Sequence, residues 1–216
     1  MNIQKGKAEF IMGIDTVEQL TTWLNENHFI SGVAFIGRSN VGKSSLINSL
    51  FGKSTARVSK TPGRTRQVNI FTFIVYDREK KTEELFHLFD VPGYGHAEVS
   101  KEMGKNWQNL LDTFFSLCSQ KVLLLNIQDA RHPLQDPDIV FQNYIKGFDL
   151  ETYVIFNKID KLKTQSERSR LKNLMPNIYD SFKWVKQIHF ASAEKGDGLP
   201  AVEQAIITYV MRQKET

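Results

Sequence analysis

The run Gly37-Arg38-Ser39-Asn40-Val41-Gly42-Lys43-Ser44-Ser45 sets two glycines, a lysine and a hydroxyl at the spacing G-x-x-x-x-G-K-[ST]. A glycine turn of this kind lets successive backbone N–H groups curl round a phosphate. A helix starting directly after it adds the partial positive charge of its N-terminus. Lys43 would reach the β- and γ-phosphates, and the Ser44 hydroxyl would ligate Mg²⁺. The ligand these residues predict is a nucleoside triphosphate.

Two later tetrads fit the same ligand. Phe86–Phe89 runs apolar into Asp90-Val91-Pro92-Gly93, 47 residues after Lys43. An Asp at a strand end can hold Mg²⁺ through a water, and Gly93 can bring a backbone N–H to the γ-phosphate with no side chain in the way. Asn157-Lys158-Ile159-Asp160 ends another apolar run. A carboxylate at Asp160 can accept from N1–H and the 2-amino group of guanine, whereas adenine lacks that amino group and turns an acceptor towards it. Losing two such charge-assisted bonds costs about 3–6 kcal/mol, so the tetrad selects guanine and an ATPase is excluded. Asn157 would bond the other edge of the base, and the Lys158 stem would cover the ring. Ala191, Ser192 and Ala193 end the last apolar run and can offer a backbone N–H to the guanine oxygen.

Positioning these loops takes strands that finish at one edge. Apolar runs predict strands at Val33–Ile36, Gln67–Tyr76, Leu85–Phe89, Lys121–Ile127, Thr152–Phe156 and Trp184–Phe190. Helical segments are predicted at Lys43–Phe51, Lys101–Leu117, Asp136–Phe148, Gln165–Met175 and Leu199–Arg212. Their alternation predicts a three-layer α/β/α domain with a mostly parallel sheet. The linker Asp77-Arg78-Glu79-Lys80-Lys81-Thr82-Glu83 is too short for a crossover, so one strand should run antiparallel. Residues 1–30 read as a lead-in with an extra strand (Ala8–Met12) and helix (Thr16–Asn27), and residues 31–216 as the nucleotide-binding domain.

The 216 residues, 41% hydrophobic and 24% charged, exclude wholesale disorder. The absence of a long apolar run or a signal-peptide core argues for a cytoplasmic protein without membrane insertion. A lone cysteine, Cys118, suits a reducing compartment and reads as a small buried hydrophobe. The five histidines show no metal-ligand spacing, which argues against zinc. Charge is segregated. Between Asn27 and Tyr76 there is no acid, while Arg38, Lys43, Lys53, Arg57, Lys60, Arg64 and Arg66 sum to +7 in a chain whose net charge is +4. Such a stretch predicts a polyanionic ligand, a polyanionic partner, or both.

In order, these elements resemble the G domain of translation-factor-related GTPases. The finer pattern GRSNVGKSS, SKTPGRT and DVPGYG is similar to the EngB (YihA/YsxC) family of bacterial ribosome-assembly GTPases, within the TrmE-Era-EngA-EngB-Septin-like group. The family's TKxD is NKID here, which preserves the chemistry. The resemblance implies slow Mg²⁺-dependent hydrolysis of GTP to GDP, a role in large ribosomal subunit assembly and in cell division, and rRNA or ribosomal proteins as partners of a monomer. It places the first switch at Ser59–Asn69, with nucleotide contacts along Gly63, Arg64, Thr65, Arg66 and Gln67. A threonine hydroxyl there should complete the Mg²⁺ shell. The residues allow Thr61 or Thr65, and the family's P-G-K/R-T pattern favours Thr65. Where Ras-like enzymes carry a glutamine after D-x-x-G, this chain has Tyr94, which predicts slow hydrolysis. Asn40 stands where MnmE-like relatives bind K⁺ beside the β/γ bridge, so Asn40, Lys43, Thr65 and Gly93 are the catalytic candidates. A rival reading is a nucleotide-gated septation scaffold in which hydrolysis is incidental.

Overall fold

Among the described residues, eight strands share one sheet, and all but one run the same way. The computed structural model describes residues 1–27, 30–56, 67–94 and 101–215, the side chains of 101–103 excepted. The elements follow in the order β1 (Asn2–Ile3), β2 (Glu9–Ile14), α1 (Val17–Glu26), β3 (Gly32–Gly37), α2 (Lys43–Phe51), β4 (Val68–Asp77), β5 (Thr82–Asp90), α3 (Lys101–Leu117), β6 (Val122–Asp129) and α4 (Asp136–Ile145). They continue with β7 (Thr152–Asn157), α5 (Gln165–Asn173), α6 (Met175–Ser181), β8 (Val185–Phe190) and α7 (Leu199–Glu215).

The sheet order is β1-β4-β5-β3-β6-β7-β8, with β2 also paired to β4. β4 is the reversed strand, antiparallel to β1, β2 and β5. Its hairpin with β5 closes on Asp77, whose Oδ1 accepts the N–H of Glu79 at 2.9 Å and of Lys80 at 3.3 Å. β3, β6 and β7 are buried along their whole length because helices cover both faces, the pattern expected of parallel strands. α2 and α7 pack on one face against Val33, Phe35, Leu123, Leu125 and Ile155. α1, α3 and α4 cover the other face over Ala34, Ile36 and Leu124, and α5 and α6 extend that layer over Val154 and Phe156. Period-two alternation along each strand produces this division. Cys118, just past α3, is fully buried, and burial pushes its thiol up to about 12.

The expected elements are present, with differences at their ends. The helix expected over Gln165–Met175 ends at Asn173, and a second helix that was not expected, α6, follows it with Pro176 in its first turn, where the missing N–H stops the α5 ladder. The predicted Asp136–Phe148 helix stops at Ile145, ahead of Gly147. β6 runs two residues beyond the predicted Ile127, carrying Gln128 and Asp129 into the buried sheet. β1, only two residues long, gave no signal. Thr16 caps α1 by accepting from Gln19 N–H at 3.2 Å.

Candidate functional site

β3, β5, β6, β7 and β8 are parallel neighbours, so their carboxyl ends and the loops after them share one edge of the sheet. Such an edge, where crossovers leave in opposite directions from neighbouring strands, is where α/β sheets bind ligands. The glycine loop leaves β3 there, and α2 starts at Lys43. Gly42 sits at φ +91°, a left-handed conformation, and a Cβ on it would stand 2.5 Å from Asn157 Nδ2. Glycine is required on both counts. No side chain caps α2, and no acid lies in its first turn. Its N-terminal N–H groups therefore present an uncompensated positive end to the loop, suited to an anion.

Lys43 Nζ pairs with Asp90 Oδ1, and both side chains are nearly buried. The lysine of the loop and the carboxylate that ends β5 thus meet at this edge. Gly93 lies against the loop as well, since a Cβ there would be 2.5 Å from the Gly37 carbonyl oxygen. Val91 N–H fixes the connection by donating to Phe35 O at 3.0 Å. Arg38 behaves differently from a phosphate ligand. Its guanidinium turns to α4, donating to Asp138 Oδ1 at 2.9 Å, Gln135 Oε1 at 2.7 Å and the His132 carbonyl at 3.2 Å.

The Asn157–Asp160 tetrad is tied to the glycine loop. Asn157, buried at the end of β7, donates through Nδ2 to Val41 O at 3.0 Å, and its Oδ1 accepts from Ala193 N–H at 3.1 Å. One amide therefore joins the loops after β3, β7 and β8. Lys158, at φ +67°, reaches back so that Nζ donates to the Asn40 carbonyl and to Asp129 Oδ2. That stretches its aliphatic stem across the edge. Ile159 N–H donates to Ala191 O at 3.2 Å, which sets the tetrad against the Ala191-Ser192-Ala193 loop.

Asp160 has the features of a receptor carboxylate. Oδ1 accepts the Ser192 hydroxyl at 2.6 Å, while Oδ2 is buried without a hydrogen-bond partner and lies 3.1 Å from Lys161 Nζ as an ion pair. Burial works to raise its carboxyl, but the Ser192 hydroxyl and the Lys161 ammonium outweigh it and hold the pKa below the ordinary value. Asp160 is thus an ionised acceptor whose second oxygen is engaged by the Lys161 ammonium alone.

Two residues that hold the site were not singled out from the sequence. Asp129, at the end of β6, binds Arg131 through Oδ1 (N–H at 3.0 Å, Nε at 2.9 Å) and through Oδ2 (Nη2 at 2.7 Å), besides holding Lys158 at 3.1 Å. Burial would raise its carboxyl, yet Arg131 and Lys158 together bring it down to about 2. A charged residue closing a buried strand at the ligand edge was the available signal. Asp138, fully buried in the first turn of α4, gave none, because such an acid reads as an ordinary helix-end residue. Of the basic stretch, Lys53 is exposed, while Arg38 and Lys43 are matched by Asp138 and Asp90. Arg57, Lys60, Thr61, Gly63, Arg64, Thr65 and Arg66 lie outside the described residues, as do His28 and His96. Gln67 is described, and its Nε2 donates to Asp15 at 3.3 Å. No group of three or more His, Cys, Asp or Glu among the described residues could hold a metal ion, and no described helix is long and apolar enough to cross a membrane.

The model of the 50S ribosome-binding GTPase family matches residues 32–158. A Campylobacter jejuni (strain RM1221) protein named as a probable GTP-binding protein EngB is 44% identical over 149 residues, spanning 66% of this chain and 73% of that protein. A solved structure of a probable GTP-binding protein EngB superposes with a TM-score of 0.59 at 24% identity, over 84% of this chain and all of that one. The structure of Era in complex with MgGDPNP and nucleotides 1506–1542 of 16S ribosomal RNA gives a TM-score of 0.62 at 25% identity, over 84% of this chain and 57% of that one. The chain belongs to the 50S ribosome-binding GTPase family, among the GTP-binding proteins named EngB.

Proposed function

We propose that this protein binds GTP and GDP with Mg²⁺, hydrolyses GTP slowly, and acts as a nucleotide switch in assembly of the large ribosomal subunit. The observation that carries the guanine reading is Asp160, an ionised carboxylate with one buried oxygen lacking a hydrogen bond. N1–H and the 2-amino group of guanine are donors that this carboxylate can accept when Lys161 gives way. Asn157 fixes the loops around the opposite edge of the base, the Lys158 stem covers its face, and the Ala191-Ser192-Ala193 backbone meets its oxygen.

At the phosphates, the Gly37–Ser45 backbone and Lys43 bind the β- and γ-groups, and Gly93 N–H meets the γ-phosphate. Ser44, Asp90 and Thr65 are the metal candidates. Hard oxygen donors of this kind suit Mg²⁺, which keeps waters and shares phosphate oxygens rather than needing a protein cage. Asp90 fits a cation, since it already holds the Lys43 ammonium. When bound, Mg²⁺ would neutralise charge on the transferred phosphoryl group. Tyr94 is buried, so the position after Gly93 presents no side chain to a water, and hydrolysis is slow. Asn40 is the residue through which K⁺ would speed it.

The partner reading rests on the family's description as ribosome-binding, on the Era structure that holds rRNA, and on the acid-free stretch around the first switch. We assign the charges of Lys53, Arg57, Lys60, Arg64 and Arg66 to RNA phosphates. We place the protein in the cytoplasm as a monomer, with its effect on cell division and septation following from this switch. Burial of Tyr94 favours one second reading, a nucleotide-gated septation scaffold with incidental hydrolysis. Calorimetric titration with GTP, GDP and ATP tests the core of the proposal. Binding of both guanine nucleotides with ATP far weaker is expected, and equal ATP and GTP affinities would refute it.

A further inference from the structure

The side chain that follows Gly93 is built into the interior. Tyr94 is 8% exposed, and its ring lies flat on Phe141 of α4, with centroids 4.3 Å apart and planes 6° from parallel. Its hydroxyl donates to Asp138 Oδ1 at 2.8 Å and accepts from Asn126 Nδ2 at 2.8 Å. Burial, then the nearby Asp138 charge, raises this phenol well above its ordinary value, so it stays a neutral donor. Asp138 Oδ1 also accepts Arg38 Nε, and Oδ2 accepts the Gln135 N–H at 3.0 Å. Asn126 is fixed from behind, its Oδ1 accepting from Gln128 Nε2 at 2.8 Å and Gln142 Nε2 at 3.2 Å. A continuous hydrogen-bonded chain therefore links the second residue of the glycine loop, through Asp138 of α4, to the neighbour of Gly93, which Asn126 of β6 braces from its other side.

Gly93 is held from both sides. Val91 N–H anchors the preceding backbone to β3, Tyr94 anchors the following residue to α4 and β6, and Gly93 itself presses on Gly37. Buried networks in which each member has its partner specify one geometry closely, because any departure leaves a polar group unsatisfied.

We propose that Arg38, Asp138, Tyr94 and Asn126 form a positioning unit that sets the Gly93 amide against the glycine loop and thereby sets the preference for nucleoside triphosphate over diphosphate. This rests on the reading of Gly93 as the donor to the γ-phosphate. Arg38 then serves the phosphates through its backbone alone, its guanidinium being committed to α4. GDP has no group for the Gly93 amide to meet, so loosening the unit weakens only the triphosphate complex.

Tyr94→Phe tests this, because the ring can stay stacked on Phe141 while both hydroxyl bonds vanish. Dissociation constants for GDP and for the non-hydrolysable analogue GMPPNP are measured by calorimetry on the wild type and the variant, with the thermal midpoint recorded alongside. The variant should lose about tenfold in GMPPNP affinity, the worth of roughly one to two hydrogen bonds, with GDP affinity within about twofold of wild type. Asn126→Ala, acting from β6, should move the ratio of the two constants in the same direction. An unchanged ratio, whether both affinities hold or both fall together, would show a purely structural role and overturn the proposal. Wild-type protein that binds neither nucleotide would instead remove the functional reading on which it rests.

Discussion

Gly42→Ala strikes the point where the glycine loop and the Asn157–Asp160 loop touch. Two costs are read from the structure. An alanine at φ +91° carries strain of about 1–2 kcal/mol, since a Cβ crowds the backbone in left-handed conformations. Its Cβ would also stand 2.5 Å from Asn157 Nδ2 and must displace that buried amide. Displacement breaks the bonds to Val41 O and from Ala193 N–H. At about 1 kcal/mol each, the two lost bonds bring the cost of holding the native loop geometry to about 3–4 kcal/mol; a free variant that relaxes out of that geometry must regain it on binding, which sets a ceiling of roughly 10²- to 10³-fold on the loss of affinity. Because Asn157 joins three loops, the loss falls on GTP and GDP alike, unlike the loss expected at Tyr94. Calorimetric titration of both nucleotides, with circular dichroism as a check on folding, measures it. Wild-type affinity for both in a folded Gly42→Ala protein would refute the reasoning that one buried amide couples the two halves of the site.

Asp160→Asn should shift preference from GTP to XTP, because the amide donates where the carboxylate accepted; competition titrations with the two nucleotides read this out. Asp129 has its carboxyl lowered to about 2 from an ordinary 3.8, so the stability it contributes is fully present above about pH 4 and is lost as pH falls through about 2. The gap in thermal midpoint between wild type and Asp129→Asn should therefore be widest near neutral pH and close on approach to pH 2, as followed by circular dichroism. Turnover should be faster in K⁺ than in Na⁺ at equal ionic strength, and Asn40→Ala should abolish that difference while leaving GDP binding intact, as read by phosphate release.

Much of this site was legible because its chemistry is concentrated in backbone turns and strand ends. Gly42, Lys43, Asp90, Asn157 and Asp160 each follow or close an apolar run, and parallel strands carry such ends to one edge. The single reversed strand followed from a seven-residue linker that cannot cross a sheet. What escaped depends on contacts between residues distant in sequence. Arg38 and Asp138 are 100 positions apart, and neither shows from its neighbours that a buried ion pair will form. Tyr94 was legible as the absence of a catalytic glutamine, but its lodging between Phe141, Asp138 and Asn126 required the packing of α4 on β6. Polar residues within β6 made its predicted end too early. Gln128 and Asp129 read as loop, yet Gln128 is satisfied by Asn126 and Leu134 N–H, and Asp129 by Arg131 and Lys158. The expected helix stopped just before Pro176; α6 was missed because it is only seven residues long and begins with that proline in its first turn.

The central claim is that the γ-phosphate gates a ribosomal partner, and co-sedimentation with purified large ribosomal subunits measures it most directly. Protein loaded with GMPPNP should pellet with the subunit and protein loaded with GDP should not. The association should weaken steeply with salt, since each phosphate contact contributes about 0.7 to 0.9 to the slope of log affinity against log salt. Co-sedimentation that is equal with GMPPNP, GDP and no nucleotide, or that is absent in all three, would contradict the account.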